Sequence, residues 1–303
     1  MSEWHIEIGP EAREALAACR PVVALESSLI AHGLPWPLNL ETARAAEQVV
    51  REEGAVPATI AVWQGRPTIG LADEDLVALA QTQGVFKASR RDLAVAVAQG
   101  ISAGTTVAAT MFLAHRAGIR ILATGGIGGA HRGHEHAWDI SADLIELGRT
   151  PVAVVCAGAK SVLDIPRTIA ILETYSVPVV GYGTDDFPAF YLRSSGEPVS
   201  ARVDTVAEAA RLLRALWDLG GAGFVLAQPI ETNLVLEDSE FEQALRDVEQ
   251  QATAAGVRGK ELTPFLLKKL GEATEGKTLR ANKGLVVANA RLAAQLALQF
   301  FRS

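Results

Sequence analysis

The chain of 303 residues is 49% hydrophobic and 21% charged, enough apolar matter for a sizeable core, which excludes a disordered or low-complexity polymer. Lys and Arg number 28 against 35 Asp and Glu, a formal charge of −7, so a duplex-binding surface is not expected, although a local basic pocket for a small phosphate stays open. Cys19 and Cys156 are the two cysteines, too few for a disulfide framework, and a reducing cytoplasm is the expected setting.

The segment up to Leu16 carries acidic residues early and no apolar run, so no secretion signal is expected there. Short apolar runs then recur at Pro21–Leu25, Ala58–Trp63, Ile119–Thr124, Val152–Cys156, Val177–Tyr182 and Gly223–Ala227. Several are continuous in Val, Ile, Ala and Leu rather than alternating, the pattern of strands covered on both faces. Ala94–Ala114 holds no charged residue and is as long as a membrane span. Gln99, Gly100, Ser102, Gly104, Thr105, Thr106 and Thr110 interrupt it, which predicts a loop between two buried helices.

Helix signals lie between the runs. Thr205 with Glu208, and Ser239 with Glu242, have capping-box spacing, and Thr263-Pro264 reads as an N-cap followed by proline at the first helical position. A long apolar helix is predicted over Leu279–Phe300. No Ser/Gly linker, charge block or internal repeat divides the chain. The expected fold is therefore α/β, a single domain over residues 1–303, three-layer α/β/α around a central largely parallel or mixed sheet.

Ligands of open α/β sheets gather beyond the carboxyl ends of the strands. Glu26 follows one predicted strand, Gly125-Gly126 another, and Lys160 a third through Ala157-Gly158-Ala159. A lysine in apolar company loses basicity on burial and gains an imine-forming lone pair, whereas a surface loop lysine does neither. Glu26 at an apolar strand end is either a general acid or a simple pairing partner.

The glycines of 124–133 allow close backbone approach to a ligand, but form neither a P-loop nor a dinucleotide fingerprint. Asp139 and Asp143 stand four apart, so a helix would set both carboxylates on one face, near Ser141, either to serve a hard divalent cation or merely to complement the helix dipole. His131, His134 and His136 come without cysteine or a His-Glu-x-x-His pattern, which weakens a zinc reading. Lys87, Arg90 and Arg91 form a basic cluster suited to a phosphate or to salt bridges. Asn289 shares a helical stripe with Leu285, Leu292 and Leu296, so it faces inward and needs partners, from another helix or from a ligand with an amide-like edge.

Taken in order, several segments carry a resemblance: Val-Ala-Leu-Glu-Ser at 23–27, Ala-His-Gly-Leu-Pro at 31–35, Lys-Ala-Ser-Arg-Arg-Asp-Leu at 87–93 and Gly-Thr-Thr-Val-Ala-Ala-Thr-Met at 104–111. Ala-Thr-Gly-Gly-Ile-Gly-Gly-Ala-His-Arg-Gly at 123–133, Asp-Ile-Ser-Ala-Asp-Leu at 139–144, Val-Cys-Ala-Gly-Ala-Lys-Ser at 155–161, Pro-Ala-Phe at 188–190 and Gly-Lys-Glu-Leu-Thr-Pro-Phe-Leu-Leu at 259–267 continue it. Together they resemble the pseudouridine-5′-phosphate glycosidase family, which also includes a protein associated with indigoidine gene clusters.

The resemblance implies reversible cleavage of the C–C glycosidic bond of pseudouridine 5′-phosphate to uracil and ribose 5-phosphate, with a divalent metal such as Mn²⁺. It implies that Lys160 attacks C1′ to give a linear imine and that Glu26 shuttles protons. It assigns Asp139 to the metal, and Lys87, Val107, Ser141, Ala142 and Asp143 to substrate. His131 is assigned to phosphate and Asn289 to uracil. A cytoplasmic homotrimer is expected. Two alternatives remain: a Schiff-base lyase on another phosphosugar, and a non-catalytic ligand-binding protein on the same scaffold.

Overall fold

The computed structural model describes residues 5–132 and 139–301. The first half runs β1 (Glu7–Ile8), α1 (Pro10–Ala17), β2 (Val22–Glu26), α2 (Leu38–Glu52), β3 (Val56–Trp63), β4 (Arg66–Ile69), α3 (Asp73–Gln81), β5 (Phe86–Ala88), α4 (Leu93–Ala98), β6 (Ala103–Thr105), α5 (Val107–Arg116) and β7 (Ile121–Ala123). The second half runs β8 (Ala130–His131), α6 (Ala142–Leu147), β9 (Ala153–Cys156), β10 (Leu163–Asp164), α7 (Ile165–Thr174), β11 (Val179–Tyr182), β12 (Ala201–Val203), α8 (Val206–Asp218), β13 (Phe224–Ala227), α9 (Asp238–Ala254), α10 (Leu262–Ala273) and α11 (Lys277–Phe301). All the predicted strands form, with ends moved by one or two residues.

One mixed sheet takes its strands in the order β1-β4-β3-β2-β7-β9-β13-β11-β12. From β3 to β12 every neighbouring pair is parallel. Antiparallel β4 and β6 both pair with β3 at that edge. The residues of β2, β9 and β13 are all buried, which is why their sequences lack alternation. Helices α2, α8 and α11 pack together on one face, and α5 and α6 pack together on the other, giving the expected α/β/α layering.

Ala94–Ala114 becomes most of α4, strand β6 and most of α5, so the two helices form and a short strand stands where a plain loop between them is predicted. Helix α11 is long and apolar enough to cross a membrane by composition, but half of its apolar window is buried within the fold. It packs on β2, β7 and β9, as a core helix does.

The helix starts bear out one of three capping expectations and correct two. Thr205 and Glu208 do form a capping box at α8. Ser239 instead lies inside the first turn of α9, which begins at Asp238. Thr263 is likewise inside α10, whose N-cap is Glu261, because the preceding turn Gly259–Glu261 already starts the helical winding.

The loop leaving β9 is held by a steric constraint. Gly158 has φ +79°, and a Cβ there would lie 1.7 Å from the Pro188 carbonyl oxygen. The 187–190 segment comes this close because the Phe190 N–H donates to the Ala157 carbonyl. Gly158→Ala is therefore expected to lower unfolding free energy by roughly 2–4 kcal/mol, from left-handed strain plus the clash. Urea unfolding measures it, and a loss under about 1 kcal/mol would mean the loop relaxes freely.

Candidate active site

A chamber of about 400 Å³ opens at the carboxyl ends of the parallel strands. Its wall takes Glu26 and Ser28 from the end of β2, Lys87 from β5, and Thr106 and Val107 from the start of α5. Gly128, Gly129 and His131 come from the segment after β7, and Asp139, Ser141, Ala142 and Asp143 from the approach to α6. Lys160, after β9, closes the ring together with Thr263 of α10. Thus every site residue that the family resemblance assigns lies on this wall except Asn289.

A smaller recess of about 40 Å³ adjoins the chamber. It shares Glu26, Ser28, Lys87, Lys160 and Thr263 with the chamber and adds His32, Gly125, Gly126, Phe190 and Asn282. The carboxylate and both amines therefore stand at the neck between the two spaces.

Glu26 is buried, 8% exposed, and each carboxyl oxygen is held by a hydroxyl. Ser28 Oγ donates to Oε2 at 2.5 Å and Thr124 Oγ1 donates to Oε1 at 2.5 Å. The sequence gives neither Ser28 nor Thr124 a role at Glu26; their signal is adjacency to the ends of β2 and β7. They fix the plane in which the carboxyl meets a reacting atom.

Lys87 is held on β5, in register with Gly104 of β6. Burial pushes its ammonium down to about 8, and the charge of Lys160 pushes in the same direction, while Asp143, Glu26 and Glu261 oppose. Two amines in one polar chamber repel until an anion enters, so the site favours a negatively charged ligand. Thr106, the N-cap of α5, has a buried Oγ1 with no protein partner. The positive end of α5 points the same way.

Asp143 departs from the expected arrangement. Helix α6 begins only at Ala142, so Asp139 and Asp143 do not share a helical face. Asp143 Oδ1 accepts from the Ala108 N–H and Oδ2 from the Gly128 N–H, both at 2.9 Å. Ser141 caps α6 through the Asp143 N–H at 3.2 Å. Asp143 is thus a wall-builder whose oxygens are committed to backbone, while Asp139 lies before the helix and lines the chamber.

Asn289 is fully buried but stands away from both spaces. Its Nδ2 donates to the carbonyls of Thr124 (2.7 Å) and Gly125 (3.2 Å), and its Oδ1 accepts from Gln228 Nε2 at 2.9 Å. The expected base contact is therefore corrected: the amide clamps the turn after β7. Asn282, seven residues earlier on the same stripe of α11, lines the recess instead, with a buried Oδ1 that has no protein partner. Extending the Leu285–Asn289 stripe one turn backwards would have found it.

Of the basic cluster, Arg90 pairs with buried Glu146 at 2.7 Å and stacks over Phe112, a structural tie. Arg91 reaches the chamber rim. His131 Nε2 lies 3.4 Å from Thr263 Oγ1; His134 and His136 fall outside the described residues. Among the described residues, no three His, Cys, Asp or Glu side chains gather as a metal cage.

The family model described as indigoidine synthase A like protein matches residues 11–299. The chain is 52% identical over 295 residues to a pseudouridine-5′-phosphate glycosidase of Caldanaerobacter subterraneus subsp. tengcongensis, covering 97% of this chain and 96% of that one. It is 51% identical over 301 residues to one of Alkaliphilus metalliredigens, covering 99% and 98%. Among solved structures, the prealnumycin C-glycosynthase AlnA in complex with ribulose 5-phosphate superposes with TM-score 0.90 at 39% identity, covering 99% of this chain and 98% of that one. An indigoidine synthase A-like protein from Thermotoga maritima superposes with TM-score 0.90 at 35% identity, covering 100% and 99%. Matched along nearly its whole length in both sequence and fold, this chain belongs to the indigoidine synthase A-like family.

Proposed function

We propose that the protein is a pseudouridine-5′-phosphate glycosidase, which reversibly cleaves the C–C bond between ribose and uracil. The observation that carries this reading is the neck: Glu26, Lys87 and Lys160 line both the polar chamber and the smaller recess. A phosphosugar in the chamber and a flat base in the recess would set the bond between them beside the amine and the carboxyl. Relatives above half-identity bear that activity as their name, and the AlnA complex is one with a five-carbon phosphosugar.

A carbon leaving group departs less readily than an oxygen one, so two carboxylates alone serve this reaction poorly. In the proposed course, the Lys160 amine bonds to C1′ as the ring oxygen leaves and takes a proton from Glu26. The substituted ammonium returns a proton to the Glu26 carboxylate, which passes it to C5 of uracil as the C1′–C5 bond breaks, and C1′ remains as an imine of Lys160. Water hydrolyses the imine, releasing ribose 5-phosphate and the free lysine. Ser28 and Thr124 keep the Glu26 carboxyl in place through these exchanges.

The phosphate is assigned to Lys87, the Thr106 hydroxyl and the start of α5 at Val107, with Ser141, Ala142, Asp143 and His131 along the same wall. Asn282 takes an N–H edge of the base. A Mn²⁺-like cation fits this donor set if it keeps most of its waters, since the oxygens of Asp143 are committed to backbone and Asp139 is the carboxylate left to hold it. Bound there, it would offset phosphate charge. A cytoplasmic homotrimer belongs to the same proposal. A Schiff-base lyase acting on a base-free phosphosugar would leave the recess without a purpose.

Lys160→Ala is expected to abolish uracil release from pseudouridine 5′-phosphate measured with Mn²⁺. Borohydride with ribose 5-phosphate should tag Lys160 in the intact protein, as read by peptide mass. Full activity in the variant would remove the imine course, and no release by the intact protein would remove the function.

The lowered basicity of Lys87 sets a pH dependence. Its charge is present below about pH 8 and lost above it, so affinity for ribitol 5-phosphate, which has no carbonyl to form an imine, should fall as pH rises through about 8. The fall approaches roughly tenfold per pH unit at its steepest. Lys87→Arg keeps its charge and should move the fall to higher pH; calorimetry from pH 7 to 10 would show an unshifted curve if another group is responsible.

A further inference from the structure

His32 belongs to the Ala-His-Gly-Leu-Pro segment, which the proposed reaction leaves without a role. It sits in a five-residue π-turn, Leu29–Gly33, between β2 and α2. Its imidazole is bonded to the Phe86 backbone, while Nε2 is buried with no protein partner. In the tautomer that carries the ring proton on Nδ1, Nε2 presents a lone pair. Burial, and then the charge of Lys87, lower the basicity of the ring, against the opposing pulls of the Phe86 backbone and then Glu261, which favours the neutral imidazole.

The recess thus holds two unpaired acceptors, His32 Nε2 and Asn282 Oδ1, on separate elements. The hydroxyl of Ser28 is already given to Glu26. Phe190 packs directly on the Gly125-Gly126 turn, where added Cβ atoms would meet its ring at 3.2 and 2.7 Å, so turn and ring together form one wall of the recess. Phe190 itself is held at φ +62°, a conformation rare for a bulky residue and maintained by its neighbours.

A uracil ring joined through C5 keeps two N–H donors, N1–H and N3–H, flanking the axis through C5 and C2. A uracil joined through N1 keeps only one. We propose that His32 is a specificity-determining residue, its Nε2 accepting one of the two base N–H groups while Asn282 Oδ1 accepts the other, so that the recess counts donors and selects the C-linked base. This rests on the function proposed above. An acceptor left buried and unpaired by the wrong ligand costs affinity, roughly 10- to 100-fold.

The probes are uracil, 1-methyluracil and 3-methyluracil, each titrated by calorimetry with ribitol 5-phosphate filling the chamber. Each methyl group removes one donor. The intact protein should bind both methylated bases roughly 10- to 100-fold more weakly than uracil. His32→Ala should erase the penalty against one isomer and keep it against the other, and His32→Gln, which retains an acceptor, should restore both penalties. A merely structural histidine would weaken all three bases alike, and that outcome overturns the proposal. So does an intact protein that binds either methylated base as well as uracil, a comparison that needs no variant to fold. If discrimination is present but pseudouridine 5′-phosphate is not cleaved, the glycosidase reading fails and the role of His32 stands; cleavage without discrimination removes the role of His32 alone.

Discussion

The Asp143 carboxylate, between the Ala108 and Gly128 N–H groups, is the interaction on which the chamber depends. It ties together the start of α5 after β6, the glycine turn after β7, and the first turn of α6, which leads back to the sheet at β9. Hydrogen bonds to a charged acceptor contribute about 1.5–3 kcal/mol each, and breaking them would strand two backbone donors as well. Gly128 is glycine for the same reason, because a Cβ would lie 2.3 Å from Ser141 Oγ and 2.8 Å from Asp143 Oδ2. Without this tie the chamber would have its charges but no fixed wall.

A second clamp works from the opposite layer. Asn289 of α11, supported by Gln228 after β13, holds the carbonyls of Thr124 and Gly125. Thr124 in turn holds Glu26. The buried core helix therefore reaches the reacting carboxyl through one strand end, and the position of Glu26 depends on how α11 packs on the sheet. The same helix, two turns earlier, sends Asn282 into the recess, so α11 both braces the site and contributes to it.

What was legible in the sequence follows from local physics. Continuous apolar runs announce strands buried on both faces, and Glu26 and Lys160 stand at strand ends because polar side chains cannot remain inside such runs. Strand β4 went unread although Gln64-Gly65, with φ of 48° and 78°, makes a tight hairpin turn before it. Strand β6, Ala-Gly-Thr, has little strand propensity of its own and exists by pairing with β3 and β5. Ser239 and Thr263 carry capping chemistry but sit one or two residues inside their helices, since the chain had already begun to wind before them.

The sequence by itself determined the layered α/β class and the placement of a carboxylate, a glycine turn and an amine at strand ends, because these depend on periodicity and on residue type, while the other chamber residues were legible only through the family resemblance. Only the tertiary structure decided that Asp143 spends both oxygens on backbone, that Asn289 clamps a turn while Asn282 faces the recess, and that His32 keeps an unpaired nitrogen there. The two asparagines share one helical stripe and one chemistry. What separates them is which part of the sheet lies opposite, and that is set by long-range packing, not by their neighbours in sequence.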